Sequence, residues 1–429
     1  MAPTSDPRTF LSLVSSLIVK HTDKARLDTE QWKEENMKMV EVGDGNLNTI
    51  LKISLKDDSQ TVIIKHSPPY IKVLGPDYPL SVERLRMEYK ALTRFNKLAV
   101  GWVPEVYFFD EEHSIMCMEY LEGFSVLKKT IIRGEFHPDV ARHLGIFMAA
   151  IHGATHSAKL TQNDLQKLSQ EFQNPGPVKL TEQFVFTRPF TADDDTNVNP
   201  DIIKPHLPLV YDNPNILAAA REMKSLFLEK KECLVHGDLH TGSVMVNQSL
   251  AKVIDAEFAY VGPAAFDVGS LVAHYLMAYF CHMSIADNHD VHRAFAQTMA
   301  DACRHTADAY FEHLDVFTGQ TKAQYQETFM TEVAGFAGCE ILRRYCGHSY
   351  SIYKFYISRF PEKPRFSEQS LKMQSVYALV KNVVHDWQCL TELVLKKPCA
   401  IYPNSFVIML LLIICGYAWL WNLFTEYNV

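Results

Sequence analysis

The stretch Leu234-Val235-His236-Gly237-Asp238-Leu239-His240-Thr241-Gly242-Ser243, followed by Val253-Ile254-Asp255-Ala256-Glu257-Phe258, decides how this chain reads. A lone carboxylate stands in a loop, a short hairpin follows, and two further carboxylates stand two residues apart. Phosphoryl transfer uses such parts: one acid to orient or deprotonate an attacking hydroxyl, others to hold a magnesium ion on phosphates. Residues i and i+2 at a strand end point the same way, so Asp255 and Glu257 can share a metal. Either feature alone is an ordinary turn or a solvated acidic pair; their combination at this spacing carries the signal.

The N-terminal part supplies the other half. Strand-type runs at Met39–Val42, Ile50–Leu55 and Thr61–Lys65 flank turns, the first of them Gly43-x-Gly45-x-x-Asn48. A glycine turn between two strands suits a backbone cover over phosphates and argues against a dinucleotide fingerprint, which joins a strand to a helix. Taken alone it is equally a plain β-hairpin. Its weight comes from Lys65, which ends a strand 17 residues past Asn48 and can neutralise α and β phosphates. Such a lysine needs an acidic partner. In the helix expected from Ser81 to Asn96, Glu88 shares the inward stripe of Leu85 and Leu92, and Glu83 is the less favoured candidate. Strand-like runs at Glu105–Phe109 and Ser114–Tyr120 complete a small antiparallel sheet. Glu119, Tyr120 and Leu121 then leave backbone groups open to an adenine base.

Beyond Gly123 the pattern is mainly helical to about Lys397, broken by short strands at 244–246 and 252–254 and an irregular stretch at 190–215. The fold class expected is α+β with two lobes: residues 1–121 as a β-sheet lobe with one key helix, and 122–398 as a helical lobe. A net charge of −8 gives no electrostatic reason to expect nucleic acid as a partner. Nine cysteines lie scattered without CxxC pairs, which suits reduced thiols in a cytosolic setting and argues against a zinc site. The apolar stretch from Thr9 to Val19 lacks a small-residue cleavage site and reads as a first helix packed on the domain rather than a signal peptide.

The C-terminus differs. Phe406–Phe424, FVIMLLLIICGYAWLWNLF, runs 19 residues without a charge, long enough to cross a hydrocarbon core. Lys396 and Lys397 precede it, and Tyr417, Trp419 and Trp421 cluster toward its far end, where aromatic rings favour the headgroup region. The expectation is a single-pass membrane anchor over 405–424 with the bulk of the chain on the cytosolic side; a buried terminal helix is the alternative.

Six segments in order, EVGDGNLNTI, PPYIKVLGPDYPLSVERLRMEY, QFVFTRPF, HGDLHTGS, DAEFAYVGPAAFDVG and GFAGCEILRRYCG, resemble methylthioribose kinases and are spread over residues 41–347. Related choline and aminoglycoside kinases usually carry Asn at the place of Ser243 and a second Asp at that of Glu257. The resemblance implies a protein-kinase-like fold using ATP and Mg2+ on a small sugar hydroxyl, that of 5-methylthioribose in methionine salvage. It implies nucleotide contacts from Gly43, Gly45, Asn48, Lys65, the hinge Glu119–Leu121, and Asp255, Ala256 and Glu257. It makes Asp238 the catalytic carboxylate, with Asp255, Glu257 and Ser243 as metal-side groups. Arg343 and Arg344 would reach the substrate and the transferring phosphate. Glu88 and Asp267 are structural supports, and the family leaves a homodimer open. The chain departs from the family pattern at Ala256, where Pro is usual, at Tyr78, where Trp is, and after Arg344; a membrane tail is also foreign to the family. Two rival readings stay open: a kinase for a choline- or ethanolamine-like alcohol, and a membrane-tethered pseudokinase acting as a binding module.

Overall fold

The computed structural model describes residues 7–22, 27–42, 47–70, 72, 75–77, 79–197, 204, 207–283, 289–316 and 319–347. Gly43, Gly45, Tyr78 and the candidate anchor at 405–424 lie outside the described residues.

Helix α1, Pro7–His21, is the first described element and precedes a five-stranded sheet. The strands are β1 (Met37–Glu41), β2 (Thr49–Leu55), β3 (Thr61–His66), β4 (Val106–Asp110) and β5 (Ile115–Glu119). Their order is β1-β2-β3-β5-β4, every neighbouring pair being antiparallel. Phe10, Val14, Leu17 and Ile18 fall at helical spacing on α1 and bury against Leu51, Ile53, Val62, Ile64 and Ile115. Full burial of each such side chain is worth roughly 1.5–3 kcal/mol, which seats the expected first helix on one face of the sheet. Helix α2, Glu83–Leu98, joins β3 to β4 and presents Leu85, Leu92 and Phe95 inward toward Met116 and Met118 of β5.

After β5 a turn at 120–124 leads to β6 (Ser125–Val126), α3 (Leu127–Ile132) and α4 (Pro138–Thr155). Helices α5 (Gln162–Glu171) and α6 (Pro175–Thr181) follow, then a wide π-type turn over Glu182–Thr187, α7 (Pro208–Tyr211) and α8 (Pro214–Glu229). The short strands are β7 (Cys233–Val235), β8 (Val244–Asn247), β9 (Leu250–Val253) and β10 (Tyr260–Gly262). Helices α9 (Ala264–Met283), α10 (His289–His313) and α11 (Lys322–Cys346) close the described part. Strands β6, β8 and β9 form one small sheet, and β7 pairs with β10. Runs of two or three residues are too short for alternation to show, which is why β6, β7 and β10 were not expected.

Helix α4 packs against α10 so closely that a Cβ on Gly145 would lie 2.4 Å from the Thr306 carbonyl oxygen. Helix α9 is the one described helix long and apolar enough to cross a membrane; it is mostly buried between α10 and α11, and is the central helix of the core.

Glu232, between α8 and β7, anchors this bundle. It accepts the Ala264 N–H at the start of α9 and pairs with Lys230, which also grips Glu332 of α11. Burial pushes the Glu232 carboxyl up, but His156, Lys230 and that N–H outweigh it and hold it at about 2. Its stabilising contribution is therefore present above pH 4.5 and lost as pH falls toward 2, about 3 kcal/mol over that window. Glu232→Gln should flatten the acid limb of a plot of denaturant-unfolding free energy against pH. An acid limb of unchanged steepness would count against this role.

Candidate active site

The loop after β7 turns on Gly237, at φ +81°, where a Cβ would stand 2.2 Å from the Phe258 carbonyl oxygen. Only glycine tolerates both that conformation and that approach. Asp267, in the first turn of α9, accepts the N–H of His236 at 2.6 Å and that of Gly237 at 2.9 Å. It is itself held by His152 at 3.3 Å. Burial opposes its charge, yet these bonds keep the carboxyl below its ordinary range. Asp267 thus fixes the backbone that presents Asp238.

Asp238 has about a third of its side chain exposed, 34%. The Asp238 N–H donates to His236 Nδ1, and His236 Nε2 donates to the Ile254 carbonyl, 2.9 Å away. A second tie runs from Ile254 N–H to the Ser243 carbonyl at 3.0 Å. These bonds clamp the Asp238 loop onto the irregular segment after β9 that carries Asp255 and Glu257.

Asp255 adopts φ +69°, a left-handed conformation that Asp tolerates better than most residues. Its carboxylate meets Lys65 Nζ, and Lys65 also lies 2.6 Å from Glu88 Oε2. Glu83 pairs instead with Arg86 at the surface. Lys65 is buried on β3; burial works against its charge, but Asp255, Glu88 and Glu257 raise its pKa above the ordinary value. The Glu88 carboxyl is raised, by burial first and then by Asp255 and Glu257, against the opposing pull of Lys65.

Glu257, 3% exposed, accepts from Asn48 Nδ2 at 2.9 Å and lies 3.5 Å from Arg84 Nε. Arg84 was not among the sequence candidates. It is fully buried and donates to Asn48, Leu47, Pro68, Leu80 and Ser81, joining the residues just before β2 to the start of α2. The signal was present: Arg84 stands four residues before Glu88, one helical turn along the same stripe.

Three of the expected groups have partners inside the protein. Asn48 was expected on the nucleotide, but its amide is engaged by Glu257, Ser67 and Arg84 within the protein. Ser243, expected beside a metal, is fully buried and donates through Oγ to the Asp238 carbonyl at 3.0 Å, a bond that ties the loop to itself. The hinge is only partly open: the Glu119 N–H bonds the Glu105 carbonyl, and the Tyr120 and Leu121 carbonyls accept from Glu122 and Phe124. The Glu119 carboxylate is held by Lys252 at 2.7 and 2.9 Å, and Lys52 lies over the Tyr120 ring. Ala256, between Asp255 and Glu257, is fully buried.

Arg343 and Arg344 close the site from α11. Their side chains are 12% and 13% exposed, far from a solvated helix end, and both grip the buried Glu340. Their charges also reach Asp238.

Asp255 and Glu257 offer hard carboxylate oxygens, and no group of three or more His, Cys, Asp or Glu side chains forms a metal cage among the described residues. Two carboxylates with the rest of the shell from phosphates and water is how magnesium is commonly held, so the donor set fits that ion. A buried lysine, two metal-suited carboxylates and a braced, partly exposed aspartate define a small-molecule phosphotransferase. Residues 38–300 match the family described as "Phosphotransferase enzyme family". The methylthioribose kinase of Bacillus velezensis is 34% identical over 317 residues, 72% of this chain and 77% of that protein. That of Geobacillus kaustophilus is 34% identical over 321 residues, 72% of this chain and 78% of the relative. Among solved structures, choline kinase from Cryptosporidium parvum is similar with TM-score 0.48 and 11% identity, over 92% of this chain and 99% of that one. The chain belongs to the phosphotransferase enzyme family, and within it to the methylthioribose kinases.

Proposed function

We propose that the protein transfers the γ-phosphoryl group of ATP to the 1-hydroxyl of 5-methylthioribose. The observation that carries this reading is the convergence of Lys65, Glu88, Asp255 and Glu257 beside the loop of Asp238. Its support in kind is the likeness to methylthioribose kinases over most of the chain. Asp238 orients the sugar hydroxyl and takes its proton as the hydroxyl oxygen bonds the γ-phosphorus and the bond from that phosphorus to the β–γ bridging oxygen breaks, releasing ADP. Lys65 neutralises the phosphates once it exchanges its Asp255 contact for them, and Glu88 keeps it aimed. Asp255 and Glu257 would hold magnesium, which supplies positive charge against the phosphate oxygens. Arg343 and Arg344 reach the sugar and the transferring phosphate, whose negative charge the guanidinium groups match. The backbone of Glu119–Leu121 receives the adenine through the groups that the turn leaves open.

The test is ATP-dependent phosphorylation over methylthioribose, ribose, choline and ethanolamine. Turnover of methylthioribose with a kcat/KM at least tenfold above the others supports the reading. Preference for choline or ethanolamine, or no turnover together with magnesium-independent nucleotide binding, overturns it.

The segment 405–424 we read as a membrane anchor that leaves the catalytic part in the cytosol; its support is the length and uniform apolarity of the stretch. Removal of residues 404–429 should release the protein from membranes to the supernatant with kcat/KM within twofold. A truncated chain that still pellets with membranes, or that loses activity, contradicts this. A homodimer is compatible with the family likeness and is read out by the mass of the truncated protein in solution.

A further inference from the structure

On α11, Glu340 stands three residues before Arg343 and four before Arg344, so one carboxylate underlies both guanidinium groups. It accepts from Arg343 Nε, from Arg343 Nη2 at 2.9 Å and from Arg344 Nε at 3.1 Å. Glu340 is 3% exposed. Burial alone would push its carboxyl up, yet the two arginines hold it well below the ordinary range, so the charge is kept. Two adjacent guanidinium groups repel each other; the buried carboxylate leaves the trio with one net positive charge, set against Asp238.

The same carboxylate continues to the catalytic loop. His274 Nε2 lies 3.4 Å from Glu340 Oε1, and His274 Nδ1 lies 3.1 Å from Thr241 Oγ1. The His274 ring stacks on His240 with centroids 4.9 Å apart and planes 21° apart. Gly242 N–H donates to His240 Nδ1 at 2.9 Å, which leaves Nε2 as the protonated nitrogen, 3.6 Å from Asp238 Oδ2. Burial holds both rings below the ordinary histidine range, His274 to about 3, so at neutral pH they link the groups without adding charge.

We propose that Glu340 is a positioning residue for the acceptor alcohol: it aligns Arg343 and Arg344 and, through His274 stacked on His240, ties that pair to the loop bearing Asp238. The inference rests on the kinase reading above. Steady-state kinetics on the full-length chain, with the alcohol that the unmodified enzyme phosphorylates, test it. Glu340→Gln raises the KM for the alcohol at least tenfold and leaves the KM for ATP within twofold, and Glu340→Asp recovers part of the loss. A generally loosened fold would instead lower kcat through the active fraction or move both KM values together. His274→Asn, which interrupts only the link, raises the alcohol KM threefold or more and decides the matter if Glu340→Gln does not fold. An unchanged alcohol KM in the folded variants, or a parallel rise for ATP, overturns the inference. An unmodified enzyme that turns over none of the alcohols overturns the kinase reading instead.

Discussion

Replacement of Asp238 by Asn should lower kcat by about 10²–10⁴-fold, the usual worth of a positioned general base, while the KM for ATP and the melting temperature stay near their original values. The separation follows from how the loop is held. Its bonds run through backbone groups of Asp238: the N–H to His236 and the carbonyl to Ser243. Asp267 fixes the turn from behind. The Asp238 carboxylate makes none of these contacts, and an amide of the same shape leaves the loop standing. It cannot accept the proton of the attacking hydroxyl. Steady-state phosphoryl transfer together with a thermal melt decides the point. Retained kcat with an intact fold would remove Asp238 from the chemistry.

Replacement of Lys65 by Met should reduce kcat/KM for ATP by about 10²–10³-fold, equivalent to roughly 3–4 kcal/mol of transition-state stabilisation. It should also make stability depend on pH. Lys65 is the buried cation between Glu88 and Asp255, and its charge is felt at Glu257. Removing one partner of a buried ion pair costs about 3–5 kcal/mol, lowered here because the Asp255 side chain is 44% exposed. Glu88 meets the loss by binding a proton. Its carboxyl, already raised by burial, rises further without the lysine. A carboxyl raised in the folded state contributes stability that is present below its unfolded pKa and fades as pH climbs through the folded one. The penalty of Lys65→Met is therefore small below about pH 4.5 and grows toward neutral pH. Urea unfolding of both proteins at pH 5 and pH 8 measures it. A penalty equal at both pH values would contradict the description of this cluster.

Much of the fold was legible because long elements repeat their pattern. Strands β2 and β3 and helix α2 begin and end within two residues of the runs read from sequence. Helix α2 also betrayed its buried face, since Leu85, Glu88 and Leu92 share one stripe. The four-residue strands β8 and β9 were also legible, but the shorter β6, β7 and β10 were not. Neither was the internal use of polar side chains. Asn48 and Ser243 were placed among the ligands by the family resemblance, not by a pattern of their own. What a sequence does not show is that each has a nearer acceptor or donor inside the protein. Arg84 escaped for the converse reason: an arginine on an exposed-looking helix start reads as solvated until five backbone and side-chain acceptors are found around it. The burial of Arg343 and Arg344 depends on Glu340 one turn back, a pairing that i to i+3 and i+4 spacing could have suggested.

Whether Lys65, Asp255, Glu257 and Asp238 serve one nucleotide is read from a crystal structure with a non-hydrolysable ATP analogue and Mg2+. The expected result is Lys65 moved from Asp255 onto the phosphates, the ion on Asp255 and Glu257, and the terminal phosphate facing Asp238. A nucleotide bound elsewhere, with the Lys65–Asp255 contact intact, would contradict it.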